Sequence, residues 1–198
     1  MADPILWERL NNINVEELSK RVGVKLAEKG VYELDVLNRT YQIDSNHQKI
    51  LQSGKEISKE MDEHCSTAFI MYLLEAKDVT PTGEWVSPLD LPFGAQFFRG
   101  PHAVPVNRII SRFGNAQQDF DNVCQNLGGK AIEFADTAYG FNVFKQLPMA
   151  ALLWVEDDEF PARVSLLVDR TAHLHFQLDA LLGALMILED ALLNSISN

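Results

Sequence analysis

With 198 residues, 46% of them hydrophobic, the chain can build a sizeable core, which excludes an intrinsically disordered protein. Its 28 acidic residues outnumber 17 basic ones; the net charge of −11 argues against a nucleic-acid partner and against anionic membrane surfaces. Cys65 and Cys124 are too few for a four-cysteine zinc site or an iron–sulfur cluster, and we expect both to be buried thiols. Neither a signal-peptide pattern nor a run long enough to span a membrane is present, so the sequence predicts a cytoplasmic protein.

Two capped helices and a β-hairpin are predicted at the start of the chain. Asp3 is followed by proline, which is typical of a helix N-terminus, and Asn14 is placed to cap a second helix that ends at Gly23. Hydrophobic residues then recur with period two on either side of Asn38-Arg39, which predicts a hairpin with one buried face.

The middle of the chain alternates between helices and irregular segments. An apolar stripe with helical spacing runs from Ile57 through Met61 to Ala76 and predicts a long helix. Residues 80–93 are rich in proline and are either a domain boundary or a long loop; we favour the loop because the hairpins on both sides need partners. A helix is then predicted over residues 104–113, followed by another that Asn115 caps.

Two more hairpins and an apolar helix complete the predicted fold. One hairpin covers residues 130–144 with Asp136-Thr137 near its turn. The next joins residues 149–155 to residues 162–168 through four acids, and its strands are apolar on both faces, as in a covered central strand. The last segment has no polar residue between positions 180 and 188, so this helix is either buried in the core or packed on a second subunit of a homodimer. These elements predict an α+β fold, a single domain over residues 1–198 in which antiparallel hairpins form a sheet covered by helices.

Several stretches, taken in order, support a resemblance to a known family. They are YELDVLNRTYQID after the helix of Trp7, WVSPLDLPFG, FFRGPHAVPVNRIISRFG with FDNVCQNLGG, and LPMAALLWVEDDEFPARVSLLVD. Together they resemble an uncharacterised prokaryotic family known as domain of unknown function 3786. The last stretch is the most specific, because it is similar to the family signature W-x-x-D-x-E-F-P and its trailing aspartate. The resemblance implies a fold and a relationship, and no catalytic residue can be carried over from it.

The acidic turn contains two candidate ligand-binding residues, Asp157 and Glu159. On an extended strand their carboxylates project to the same side about 7 Å apart, where they could bind a hard cation or flank a substrate. A solvated hairpin turn explains the same acids more simply, and a third interpretation is that one carboxylate accepts hydrogen bonds from backbone N–H groups. We favour the solvated turn.

Asp169, His173 and His175 form a candidate metal site. Histidines two residues apart share one face of a strand and could chelate zinc or iron together with a carboxylate, whereas on a helix they point about 200° apart. Asp169 is equally well placed to cap a helical turn, and we favour this structural interpretation.

Arg99 and His102 are the second pair of candidate ligand-binding residues. They lie in the loop FRGPH, which is rich in glycine and proline, and a guanidinium beside an imidazole could bind an anionic ligand. A loop histidine that precedes a helix is also commonly a capping or packing residue, which is the interpretation we favour.

No nucleotide-binding, metalloprotease or hydrolase motif is present in the sequence, so neither a catalytic residue nor a cofactor can be named. The leading hypothesis is therefore a non-catalytic accessory or small-ligand- or cofactor-binding domain, with a pocket near the FRGPH loop and the acidic turn. The second hypothesis is a metal-dependent enzyme that uses the Asp, Glu and His residues named above. The third is a structural or assembly protein that acts through its C-terminal helix.

Overall fold

The computed structural model describes residues 2–53, 55–56 and 62–195 of the chain. Its helices are α1 (Pro4–Asn11), α2 (Val15–Val22), α3 (Asp62–Glu75), α4 (Gly94–Phe97), α5 (Asn107–Phe113), α6 (Gln117–Asn126), α7 (Ala172–His175) and α8 (Leu178–Asn194). Its strands are β1 (Lys25–Glu28), β2 (Val31–Val36), β3 (Arg39–Asp44), β4 (Lys49–Gln52), β5 (Lys55–Glu56), β6 (Trp85–Val86), β7 (Lys130–Ala131), β8 (Thr137–Phe144), β9 (Leu147–Trp154) and β10 (Arg163–Asp169).

The strands form two antiparallel sheets. The first has the order β1-β2-β3-β4-β5, in which every strand pairs with its neighbour in sequence. The second has the order β6-β10-β9-β8-β7, so that β9 lies at its centre, as the apolar sequence of this strand predicts. The predicted α+β class is confirmed, and the strands divide between two sheets instead of forming one.

The predicted caps explain where the first two helices begin and end. An Asp3 carboxylate oxygen accepts a hydrogen bond from the Ile5 amide at 2.9 Å, and the side chain of Asn14 accepts hydrogen bonds from the first turn of α2. Gly23 ends α2 with a φ of 74°, a conformation that glycine adopts without steric cost. The hairpin turn after β2 lies at Leu37-Asn38, one residue earlier than predicted, and both residues have positive φ, as the twist of a two-residue hairpin requires.

The predicted helices are present with shifted boundaries. Ile57 and Met61, where the long apolar stripe begins, lie outside the described residues. Helix α5 begins at Asn107, three residues later than predicted; Pro105 disfavours helical backbone at Val104, and Val106 occupies the N-cap position. The prediction that Asn115 caps α6 is wrong: Ala116 occupies the N-cap position, where its carbonyl accepts the first bond of the helix from the Phe120 amide.

The hairpins of the second sheet differ in how much they pair. Strand β7 contributes only two pairs, Lys130 with Gly140 and Ala131 with Tyr139. A tight turn at Lys145-Gln146, which the sequence did not predict, joins β8 to β9. The hairpin around the acidic turn is confirmed. Its strands β9 and β10 pair from Trp154 with Arg163, next to the turn, to Met149 with Val168.

Helices α3 and α8 pack side by side and make a large part of the core. A Cβ atom on Gly183 of α8 would lie 1.9 Å from the His64 carbonyl oxygen, so only glycine allows the two backbones to approach this closely. The apolar C-terminal helix is therefore buried within its own chain, in one hydrophobic cluster with residues of both sheets. Cys65 and Cys124 are both buried thiols that form no disulfide, as predicted. Among the described residues, no helix has both the length and the hydropathy of a membrane span.

Candidate functional site

Asp157 closes the acidic turn with its own side chain. One of its carboxylate oxygens accepts hydrogen bonds from the Glu159 amide at 2.8 Å and the Phe160 amide at 2.7 Å, while its amide donates to the Phe160 carbonyl. Glu159 is exposed to solvent in the same turn. The turn geometry thus matches the interpretation in which a carboxylate accepts backbone N–H bonds.

Asp169 holds a distant loop at the end of β10. Its carboxylate is fully buried and accepts hydrogen bonds from the backbone and hydroxyl of Thr82, the amide of Gly83, and the backbone and hydroxyl of Thr171. Burial opposes its ionisation, but the hydrogen bonds from Thr171, Thr82 and Gly83 outweigh burial and hold the pKa of Asp169 below its usual value. The carboxylate therefore ties residues 82–83 to the start of α7.

His173 and His175 diverge, as expected for histidines two residues apart on a helical turn. His173 is exposed, and its Nδ1 lies 2.8 Å from the Arg170 carbonyl oxygen. His175 is buried, and its Nδ1 accepts a hydrogen bond from the Lys77 amide at 3.2 Å, so its proton is on Nε2. Burial lowers the pKa of His175, and the charge of Asp169 opposes this only in part. Within the described part of the chain, no three His, Cys, Asp or Glu side chains form a cluster able to hold a metal ion.

Arg99 and His102 both make contacts within their own loop. The Arg99 guanidinium donates from Nε and Nη2 to the Ala95 carbonyl at 3.1 and 2.8 Å, which satisfies the end of α4. The His102 ring stacks on Phe97 with a centroid distance of 4.8 Å, and the edge of His64 faces it at 6.4 Å. These contacts match the packing role that the sequence also suggested for His102.

Helix α5 lies between the FRGPH loop and the acidic turn. The loop precedes its first turn, whereas Gly114, just after its last residue, accepts a hydrogen bond from the Glu156 amide at 2.9 Å. A helix of seven residues is about 10 Å long. Arg99 and His102 thus precede the N-terminal end of α5 in the chain, whereas the acidic turn with Asp157 and Glu159 is bonded to its C-terminal end.

Residues 87–102, hereafter the 87–102 segment, expose apolar side chains that sequence reasoning missed. The segment consists of the 3-10 helix Pro88–Asp90, helix α4 and the 3-10 helix Gly100–His102. The side chain of Phe93 is 78% exposed and that of Leu89 is 42% exposed. An aromatic residue inside a stretch rich in proline and glycine was the signal that could have found this site.

The backbone of the 87–102 segment is strained at Phe93 and packed tightly beneath it. Phe93 has a φ of 62°, a conformation that costs a non-glycine residue about 1–2 kcal/mol. Glycine would adopt the positive φ of position 93 without strain, but the phenylalanine could not then move to position 94. A Cβ atom on Gly94 would lie 2.1 Å from the Pro88 carbonyl oxygen, so only glycine fits there. Leu91 and Phe98, each 4% exposed, anchor the two sides of the turn in the core. The backbone that presents the exposed Phe93 side chain is therefore held in a fixed position.

Acidic groups lie close to this apolar surface. Glu84 pairs with Arg170 through two hydrogen bonds of 2.5 and 2.6 Å, and the charge of the exposed Asp90 acts on the same guanidinium. Hydrogen bonds from the guanidinium to Glu84, together with these negative charges, raise the pKa of Arg170. The site thus combines apolar side chains with the Glu84–Arg170 ion pair and the exposed carboxylate of Asp90.

The comparisons with known proteins agree with the resemblance in the sequence. The family model described as Domain of unknown function (DUF3786) matches residues 14–189, which include the 87–102 segment and the acidic hairpin. The chain belongs to this family. No curated protein and no solved structure matches it. Helix α1 of this DUF3786 protein precedes the matched residues. Its Trp7 side chain is nevertheless buried in the main hydrophobic core of the chain.

A second group of titratable side chains in the DUF3786 domain lies near the end of α8. Glu189 is 6% exposed, and its carboxylate lies 3.6 Å from the Arg108 guanidinium on α5. Burial raises the pKa of Glu189, and Arg108 opposes this in part; burial likewise raises the pKa of Asp190. Two adjacent acids directly after the apolar run of residues 180–188 were the sequence signal for this group, in which we interpret Glu189 and Arg108 as an ion pair that joins α5 to α8.

Proposed function

We propose that this DUF3786 protein is a non-catalytic accessory domain that binds a protein partner through the 87–102 segment. The observation that supports the proposal is the exposed Phe93 at positive φ. The conformation costs free energy, and the side chain gains little burial within its own chain in return. A partner that covers Phe93 would gain about 1.5–3 kcal/mol from burying this side chain, whose backbone is already held by the turn.

The chemistry around Phe93 defines the kind of partner. Leu89 extends the apolar surface, which suits an apolar pocket on the partner. The exposed Asp90, together with the net charge of −11, favours a pocket surrounded by lysine and arginine side chains. Arg99 and His102 lie at the end of the same segment, so a partner that covers Phe93 could also contact them.

The test compares Phe93→Ser with Phe160→Ser, which removes another exposed phenylalanine, 66% exposed, in the acidic turn. Tagged wild-type and variant proteins are expressed in the native cell, and a partner that depends on Phe93 is identified, purified and titrated in calorimetry. We expect Phe93→Ser to weaken binding by at least about 30-fold, as for a hot-spot residue, and Phe160→Ser to leave it unchanged. Affinity should also fall as the salt concentration rises.

Two results contradict the proposal. The first is a purified partner that binds the Phe93→Ser variant as tightly as it binds the wild type. The second is that no protein in the native cell depends on Phe93 for recovery, while the variant folds normally by circular dichroism.

A further inference from the structure

The second sheet has an outer face, opposite the side on which Met149, Ala151 and Leu153 join the main core. The register shows which residues point outward, because directly paired residues project to the same side of a sheet. Along β9, the central strand, the outward residues are Pro148, Ala150, Leu152 and Trp154. None of them is polar, whereas a strand with one solvated face alternates apolar and polar side chains. The central strand therefore has the sequence of a strand that is covered on both faces.

The apolar residues of the outer face form a small hydrophobic cluster, separate from the main core. Its buried members Ala138, Ala150 and Leu152 lie beneath larger side chains that are partly exposed: Trp85, Ile132, Trp154 and Leu167. Within the described part of the chain, no helical residue belongs to this cluster or is among the hydrophobic side chains that pack on it. The partly exposed side chains thus offer apolar surface that a partner could cover.

The free charges of the outer face are positive, although the chain has a net charge of −11. Lys130 is exposed opposite Gly140, and Arg163 is exposed opposite Trp154, with its guanidinium carbon 3.8 Å from the centre of the indole ring. Neither cation forms an ion pair with another described residue. Asp169, the acid at a paired position of this face, is fully buried and hydrogen-bonded within the chain. The outer face therefore complements a partner with free carboxylates.

The size of the outer face favours a helix over a second copy of the chain. Five strands about 4.8 Å apart and the seven residues of β10 give a projected area on the order of 400 Å². A stable protein–protein interface buries about 800 Å² on each partner. A helix of about 14 residues is about 21 Å long, which is close to the length of roughly 23 Å that β10 has. Packing a helix on a sheet is also a common way to cover it.

We infer that the outer face of the second sheet binds an amphipathic helix of a partner protein, with acidic residues on both sides of the apolar stripe of that helix. The apolar stripe packs on Trp85, Leu167 and Trp154. The flanking carboxylates pair with Lys130 and Arg163, which lie on opposite sides of β9. This surface shares no residue with the 87–102 segment.

The experiment uses two synthetic peptides of about 14 residues with leucine at helical spacing. Glutamate fills the remaining positions in one peptide and lysine in the other. Each peptide is titrated into the full chain while the amide resonances of β8, β9 and β10 are followed. We expect the glutamate peptide to bind with a Kd below about 1 mM and to shift these resonances, and the lysine peptide to bind this face at least about tenfold more weakly. The net charge of −11 alone predicts the opposite ranking.

Charge-reversal variants separate the outer face from the rest of the surface. Lys130→Glu combined with Arg163→Glu should reverse the preference between the two peptides. Lys25→Glu combined with Lys29→Glu makes the same change in charge at exposed positions next to the first sheet, and it should change the Kd of the glutamate peptide by less than about twofold.

Three results overturn the inference. The first is a glutamate peptide that does not bind at about 1 mM or that shifts only resonances outside the outer face. The second is equal weakening of this peptide by the two double variants. The third is a dimer in sedimentation that Ser165→Arg abolishes, because a second copy would then cover the face. None of these results bears on Phe93.

Discussion

The acidic hairpin and the 87–102 segment use their conspicuous residues in opposite ways. In the hairpin, Asp157 and Asp169 have the residue types of a ligand or metal site, yet both accept hydrogen bonds from the surrounding backbone. In the 87–102 segment, Phe93 has the residue type of a core position, yet it is 78% exposed. The comparison shows that polar residues can be fully used in holding the fold, while an exposed aromatic residue held at positive φ needs a further explanation.

The largest expected effect is that of Asp169→Asn, which tests whether the hairpin acids are structural. The amide would place an N–H group against donors from Thr82, Gly83 and Thr171, so we expect a loss of about 2–4 kcal/mol in the free energy of unfolding. Denaturant unfolding measures this loss. Asp157→Asn, in an exposed turn, serves as the control and should cost less than about 1 kcal/mol. Equal losses in the two variants would show that Asp169 has no special part in the fold.

Lowering the pH should also reveal the contribution of Asp169 to folding stability. Because the pKa of Asp169 is lower in the folded than in the unfolded chain, its contribution to stability is present above the usual value of 3.8 and is lost as the pH falls below it. The Asp169→Asn variant should therefore lose less stability than the wild type over this pH range.

A smaller effect is expected from Gly94→Ala, which tests whether the turn beneath Phe93 is tightly packed. The new methyl group would meet the Pro88 carbonyl oxygen, and we expect a loss of about 1–3 kcal/mol in denaturant unfolding. Gly83→Ala is a control for substitution alone, because Gly83 has open space around its Cβ position; its φ of 75° should still cost about 1 kcal/mol. A Gly94→Ala variant as stable as the wild type would show that the turn is loosely packed and that Phe93 is not held in place.

Phe93→Asn should stabilise the protein by about 1 kcal/mol, since asparagine tolerates positive φ better than phenylalanine does. Phe160→Asn is the matched exposed position, and we expect it to change stability by less than about 0.5 kcal/mol. Thermal unfolding measures both variants. If Phe93→Asn is destabilising, the aromatic side chain has a packing role in its own chain, and the strain argument for a partner fails.

The smallest effect concerns the two histidines that follow the hairpin. Because burial holds the pKa of His175 below its usual value of 6.5, the unfolded chain takes up a proton more readily, and stability falls as the pH falls below 6.5. His175→Gln should remove this part of the pH dependence between pH 7 and the lowered pKa. His173→Gln, at an exposed position, should leave it in place. The same slope in all three proteins would rule out His175 as its source.

The extent to which the sequence predicts each region follows from the range of the interactions involved. Caps and hairpins depend on neighbours within a few residues, so Asp3, Asn14 and the β9–β10 hairpin could be predicted. The role of Asp169 depends on Thr82 and Gly83, which approach it only in the folded chain. The positive φ of Phe93 was still harder to predict from the sequence. Local rules assign a positive φ to the adjacent Gly94, but glycine is required at position 94 because the Pro88 carbonyl oxygen leaves no room for a Cβ atom.

The close crossing of α3 and α8 has a consequence for synthesis on the ribosome. The Cys65 thiol and the Gly183 carbonyl, which meet at this crossing, are 118 residues apart in the chain. At about 5–20 residues per second, α3 emerges on the order of 10 s before the helix that covers it has been translated. During that interval the nascent chain exposes the apolar face that α8 later buries. The nascent chain is therefore open to aggregation through this face until α8 has been translated.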